Sequence, residues 1–255
     1  MRRGLDIAAP VVFIAALLGL WEGLCRLLAV PSYFLPTPSS ILVALWDNAG
    51  LLFVSAARTL WSALSALVIV GVLANLSAVA AAATRIVENS FRPIAVTLQV
   101  TPIVALAPLF QIWAGIDHPG RAVVALACVA AFFPIYSGVL AGLNSADPEL
   151  ERLFDLYAAR PWQRLLRLRA PSAVPQALEG FKVGIGLALV GTVIGEMNAG
   201  GGGADGLAWR IEEASHRMET AKSFAALMAL ALMAGLLHLG YQALERRALR
   251  WWRGR

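Results

Sequence analysis

Few positions in this sequence carry the residue types and spacing that bond-making chemistry needs. The run GGGGADG at 200–206 is as glycine-rich as a phosphate-cradling loop, but it lacks the Lys-Ser/Thr that such a loop uses to reach phosphate and magnesium. It reads instead as a flexible or re-entrant turn. His118, His216 and His238 show no HExxH spacing, and Cys25 and Cys128 sit alone in apolar runs, so no metal set is expected. No GxSxG turn presents a serine nucleophile. What remains is a set of polar groups in or beside apolar segments: Gln99, Thr101, Gln111, Tyr136, Glu196 and Asn198. Ionisable groups in such surroundings are functional candidates, because their burial is expensive. These six are the candidate lining of a solute pathway. Glu196 carries two readings, contact with a solute or the ordering of a loop or interface. Glu179 with Lys182, and Glu22 with Arg26, have the three- and four-residue spacing of local helical ion pairs.

A second kind of chemistry, recognition of another protein, is written into residues 144–173. This charged island between two long apolar runs holds Arg152, Arg160, Arg164, Arg167 and Arg169 beside Asp147, Glu149, Glu151 and Asp155. Asp147-Pro148-Glu149 has the form of a helix start, with a side-chain cap, a proline in the first turn and an acid at the positive end of the dipole. Leu150, Leu153, Phe154 and Tyr157 then form an apolar stripe at helical spacing. Pro161 should end that helix near Arg160. A second short helix is expected from Pro161 to about Arg169, with Arg160, Arg164 and Arg167 on one face and Trp162 among its apolar contacts. A basic helix of that kind suits an acidic lipid surface; the first suits a protein groove.

The elements that must position these groups cross a membrane. The chain has 255 residues, 59 % apolar and 15 % charged, whereas soluble domains run near 45–50 % and about 25 %. Run length marks six spans, at about 10–30, 59–83, 92–114, 120–143, 174–197 and 221–244. Residues 51–61 are expected to lie first at the interface. Pro102 and Pro108 interrupt the third span and Pro134 the fourth, which points to helices bent around a pathway or to kinked packing. Ala74, Ala78 and Ala82, and Gly180, Gly184 and Ala188, recur at four-residue spacing and allow close helix approach. With both termini in the cytoplasm, 15 of the 21 Lys and Arg fall on that side, as the positive-inside bias requires. The arginines are not gathered on a polar domain, so the net charge of +5 does not indicate nucleic acid. The expected fold class is an all-α integral membrane protein, a six-helix transmembrane bundle forming one domain over 1–255.

Several stretches carry a family resemblance over nearly the whole chain: PSYFLPTPSSILVAL at 31–45, ARTLWSALSALVIVGVLANL at 57–76, and the Pro-x-x-Ala-x-x-Pro-Leu…Trp-x-Gly…Phe-Pro-Ile pattern within 91–143. Val193 to Glu196 followed by Gly206-Leu207 resembles an Ile-x-x-Glu…Gly-Leu-Gly stretch. Together they resemble the permease subunit of type I ATP-binding-cassette importers, nearest to the branch for nitrate, taurine, alkanesulfonates, bicarbonate and pyrimidine thiamine precursors. The family's cytoplasmic Glu-Ala-Ala signature falls on 152–175 in degenerate form. Arg152-Leu153-Phe154 stands where Glu-Ala-Ala is usual and Ala158 where glycine is usual, while Trp162-Gln163 and Pro171…Pro175 fit. The resemblance implies a cytoplasmic coupling helix at about 149–160 contacting an ATPase through Glu149, Leu150, Leu153, Phe154, Asp155, Tyr157, Ala158 and Trp162. It implies a permease with no catalytic site or cofactor of its own, ATP and Mg residing on two partner ATPase subunits. It further implies a second permease, more readily an identical copy, a periplasmic solute-binding protein, residence in the bacterial inner membrane, and a pathway between spans three, four and five. A stand-alone channel or secondary transporter is the competing reading; it would work without an ATPase.

Overall fold

Backbone N–H and C=O groups in lipid must be satisfied within the chain, and helices do this segment by segment. The computed structural model, which describes residues 2–115, 117–200 and 204–253, is accordingly built of helices, with no strand among the described residues. Gly201 to Gly203 of the glycine-rich turn, and Arg255 of the basic C-terminus, lie outside the described residues. The helices are α1 (Arg2–Leu27), α2 (Pro38–Asp47), α3 (Ala49–Ala83), α4 (Arg85–Val100), α5 (Ile103–Ala114), α6 (Pro119–Leu143), α7 (Pro148–Leu156), α8 (Pro161–Arg164), α9 (Ala170–Asn198), α10 (Leu207–His216) and α11 (Thr220–Arg253). Four stretches are single helices long and apolar enough to cross a membrane: Ala49–Ala83, Pro119–Leu143, Pro161–Asn198 and Thr220–Arg250. The first expected span, 10–30, is helical as α1 up to Leu27.

Three expectations about boundaries are revised. The helix of the second span does not begin at 59; residues 51–61 are continuous with it in α3, whose 35 residues make a helix about 52 Å long. The third span is two helices bent by 101° between Val100 and Ile103. Pro102 bars a helical conformation at the residue before it, and Thr101 is indeed extended at φ −71°, ψ 126°. Its N–H still bonds Thr97 O at 3.1 Å, and its Oγ1 donates to the same carbonyl at 2.6 Å, which closes the end of α4. Pro108 and Pro134, by contrast, are carried inside α5 and α6 without a break.

The third revision concerns the island. The second short helix does not stop near Arg169 but runs through one wide turn at Leu165–Arg169 into α9. That turn bonds Ala170 N to Leu165 O, five residues back. Such π-type turns are inserts within α-helices that locally change the hydrogen-bond register, and this one falls just before Pro171. Pro175 has no N–H for Pro171 O, and Trp252 from the end of α11 supplies the missing donor, Nε1 to O at 2.7 Å.

The antiparallel pair α6 and α9 forms the centre. A Cβ placed on Gly180 would meet Pro134 O at 2.7 Å, and one on Gly191 would meet Ala127 Cα at the same distance. Only glycine permits these backbones to touch. Around this pair sit two apolar cores. One joins α3, α4, α6 and α9 through Val70, Ala74, Ala95, Ala131, Ile135 and Ala188. The other joins α2, α3, α9, α10 and α11 through Ile41, Leu52, Leu189, Leu207 and Met233. The small helices α2 and α10, which the sequence pattern does not announce, fold over the end of the bundle where α9 finishes.

Candidate functional site

Three polar regions emerge, and they lie at different levels of the bundle. The first is α7. Asp147 Oδ1 accepts from Glu149 N at 2.8 Å, the side-chain cap that the sequence indicates. Leu150, Leu153, Leu156 and Tyr157 point outward, the last two 84 % and 79 % exposed, and no residue of α7 is buried. Phe154, on the other face, is half-buried with Glu151. Glu149 makes an exposed pair with Arg152 at 2.9 Å. The helix ends with Ala159 N on Phe154 O and Ala158 N on Asp155 O, the paired bonds that close a helix through a left-handed residue. That residue is Ala158, at φ 46°, a conformation favoured by glycine. Trp162, just beyond, is about half-exposed. Gln163 Oε1 accepts from Arg160 N at 2.9 Å and starts α8.

The second region is a cleft of about 820 Å³ bounded by α4, α5, α6 and α9. Gln99, Ser137, Gln176 and Glu179 supply its polar groups, Phe133, Val183 and Leu187 part of its apolar wall, and no Lys or Arg is among the described residues lining it. The bend at Thr101 lies beside it, with Leu98 and Gln99 before the bend and Ile103 after it among the lining residues. Glu179 pairs with Lys182 at 3.3 Å, the local pair that its spacing indicates, and Lys182 also approaches Glu245 of α11 at 3.7 Å. A wider groove of about 1080 Å³ lies between α3 and α6. Its walls are largely apolar, and the guanidinium of Arg58 at its edge is engaged by Asp205 at 3.0 Å.

The third region is a buried knot. Glu196, 2 % exposed near the end of α9, accepts at Oε2 from Thr59 Oγ1 and from Ala208 N, both at 3.1 Å. Thr59 Oγ1 in turn accepts from Leu207 N at 2.9 Å. Gly206 presses against the carboxylate so closely that a Cβ there would overlap it. The carboxylate thus meets the open N–H groups at the start of α10, where a negative group belongs. On α10 itself, the Arg210 hydrogen bond holds the Glu213 carboxyl below its ordinary range, with Arg217 adding to the effect.

The six polar candidates are therefore not one site. Gln99 lines the cleft, and Thr101 sits at the break beside it. Tyr136 is a core residue, its ring stacked on Phe132 at 5.7 Å. Gln111 is half-buried on α5, its Nε2 enclosed and without a hydrogen-bond partner. Asn198 is exposed at the end of α9, bonding back to Ile194 O. Ser137 on α6 and Gln176 and Glu179 on α9 also line the cleft, although the sequence marks Glu179 only as a local ion-pair partner. For the α9 residues the signal is periodic: 176, 179, 180, 183 and 187 share one face of that helix. Among the described residues no cluster of His, Cys, Asp and Glu is arranged to hold a metal.

The described residues thus present an outward apolar stripe on a short helix and a cleft beside a bent helix pair, both set against the α6–α9 bundle. The chain is 31 % identical to the riboflavin transport system permease protein of Chloroflexus aurantiacus over 94 % of this chain and 88 % of that one. It is 29 % identical to the formylaminopyrimidine transport permease protein of Halalkalibacterium halodurans, covering 98 % of each. It is 30 % identical to the taurine transport system permease protein of Escherichia coli, covering 96 % and 90 %. Residues 68–250 match the family described as the binding-protein-dependent transport system inner membrane component. The chain belongs to that family, and it is a multi-pass transmembrane permease subunit of an ABC importer, a non-catalytic subunit whose partner ATPase hydrolyses the ATP.

Proposed function

We propose that residues 1–255 form one permease domain, with both termini and residues 144–173 in the cytoplasm of a bacterial cell, and that two identical copies enclose the pathway. In this reading α7 seats in a cleft of the ATPase through Leu150, Leu153 and Tyr157, with Glu149, Asp155 and Trp162 at the rim. Phe154 and Ala158 set its angle from behind. The observation that carries the reading is the exposed stripe itself: Leu150, Leu153, Leu156 and the capping Tyr157 on a helix with no fully buried residue. Each is worth about 1.5–3 kcal/mol once fully buried against a partner. The chain needs no cofactor, because ATP and Mg belong to the ATPase.

The cleft bounded by α4, α5, α6 and α9 is the pathway segment of this chain. Glu196 serves by holding α10 in place and does not meet the solute. Amide, hydroxyl and carboxylate groups without a lining cation suit an uncharged hydrogen-bonding solute such as a flavin or aminopyrimidine better than a sulfonate. The permeases named for riboflavin and formylaminopyrimidine transport are among the relatives. Affinity purification of the tagged permease from its own cells tests the assembly; an ATPase in stoichiometric amount is expected, and a preparation that never retains one defeats the reading. Uptake competition by riboflavin, an aminopyrimidine and taurine tests the solute class. Inhibition by taurine alone would overturn the assignment.

A further inference from the structure

Helix α7 has no fully buried residue, and Phe154 is its one half-buried apolar side chain, so packing holds it to the bundle at a single point. Two carboxylates one turn apart hold it as well. Glu151 Oε1 accepts from Arg169 Nε at 2.8 Å, and its Oε2 lies 3.2 Å from Arg164 Nη1. Asp155 pairs closely with Nη2 of the same Arg164. Arg169 then reaches the other way, its Nη1 donating to Ala82 O at 3.4 Å in the last turn of α3. That carbonyl belongs to a helix end, where no intrahelical donor is available. Arg164 precedes the wide turn Leu165–Arg169 and Arg169 closes it, at the foot of the continuous helix that becomes α9. Between the end of α3 and the start of α8 lies a cleft of about 500 Å³, lined by Val79, Ala82, Ala83, Trp162 and Leu165. Arg169 bridges across it.

We propose that Glu151, Arg164 and Arg169 form a strap that transmits displacement of α7 to α3 and α9, with Arg169 as its positioning residue. This rests on the reading of α7 as the ATPase-docking helix. A guanidinium offers a planar fork with fixed donor directions, so one side chain holds a carboxylate and a carbonyl at a set angle. The side chains of Glu151, Arg164 and Arg169 are only 21 %, 25 % and 30 % exposed, so water screens them less than the open Glu149–Arg152 pair at 76 % and 73 %. Arg169→Lys would keep the charge and lose the fork. The ionic contacts of Glu151 and Asp155 flank the degenerate signature at Arg152-Leu153-Phe154 and hold the helix together with the half-buried Phe154.

The test uses the complex of permease and ATPase in lipid nanodiscs. In a variant lacking Cys25 and Cys128, Val183→Cys on the cleft wall reports accessibility through its rate of reaction with a membrane-impermeant maleimide. ATP with vanadate should change that rate about tenfold in the otherwise unaltered complex, a typical size for coupling between distant sites. In Arg169→Ala the ATPase should still copurify and hydrolyse ATP, while the change shrinks to about twofold or less. Arg169→Lys should behave like Arg169→Ala, and the exchange Glu151→Arg with Arg169→Glu should recover at least half of the lost response. If Arg169→Ala fails to assemble, Arg169→Lys and the exchange decide the matter. A full response in Arg169→Lys, or no recovery on exchange, overturns the strap. No response in the unaltered complex, or loss of the ATPase from it, overturns the docking of α7 and the strap with it.

Discussion

Glu196 shows why residue type alone misleads. A carboxylate in an apolar run is a candidate for solute contact, yet this one is occupied by Thr59 and by the first turn of α10. Glu196→Ala should leave the buried Ala208 N–H unpaired, at about 1–3 kcal/mol, while the Thr59 hydroxyl keeps Ser55 O as its acceptor at 3.2 Å. The expected outcome is a lower melting temperature of the purified complex and loosened α10 amides in hydrogen exchange. If solute uptake fell with stability unchanged, the holding role would be wrong. Ala158 makes the converse point. Its left-handed conformation would be relieved by Ala158→Gly, worth about 1 kcal/mol. Exchange of the Ala158 and Ala159 amides should slow about fivefold if local opening governs it.

At the scale of elements, α7 is largely legible in sequence, because a cap, a proline and a stripe at helical spacing are local signals. Its orientation is not, because the stripe of Leu150, Leu153, Phe154 and Tyr157 splits once the helix is docked. Phe154 turns toward the chain while Leu156 and Tyr157 face out. Leu153→Asp with Tyr157→Asp should therefore weaken ATPase copurification at least tenfold, since each loses more than about 1.4 kcal/mol of apolar burial. Unchanged copurification would remove α7 from the interface. The third span teaches the same lesson. Pro102 announces an interruption, but a kink and a bend of 101° look alike until the packing of α4 and α5 against α6 is known.

The whole molecule turns on the α6–α9 pair, against which the cleft and the Glu196 knot are both built. Gly191→Leu would drive a branched side chain into the backbone at Leu126 and Ala127. Overpacking of that kind costs about 1–3 kcal/mol. The expected result is loss of folded permease, read as aggregation in detergent by size-exclusion chromatography. Gly186→Leu is the comparison, because nothing lies within 4 Å of a Cβ there, and it should remain monodisperse. Equal behaviour of the two would show that close α6–α9 contact is not what holds the bundle.

Run length, proline positions and small-residue spacing were enough to establish that this chain is a helical membrane protein with a polar island between its fourth and fifth spans. These are properties of contiguous residues, and backbone hydrogen bonding in lipid leaves them one solution. Tertiary structure alone decided that Thr59, Glu196 and Ala208 share a hydrogen-bonded knot, that Gln99 and Glu179 face one cleft, and that Arg169 ties α7 to α3. Partners 12 to 137 residues apart meet only through the packing angles of whole helices, and spacing within one helix carries no record of those angles.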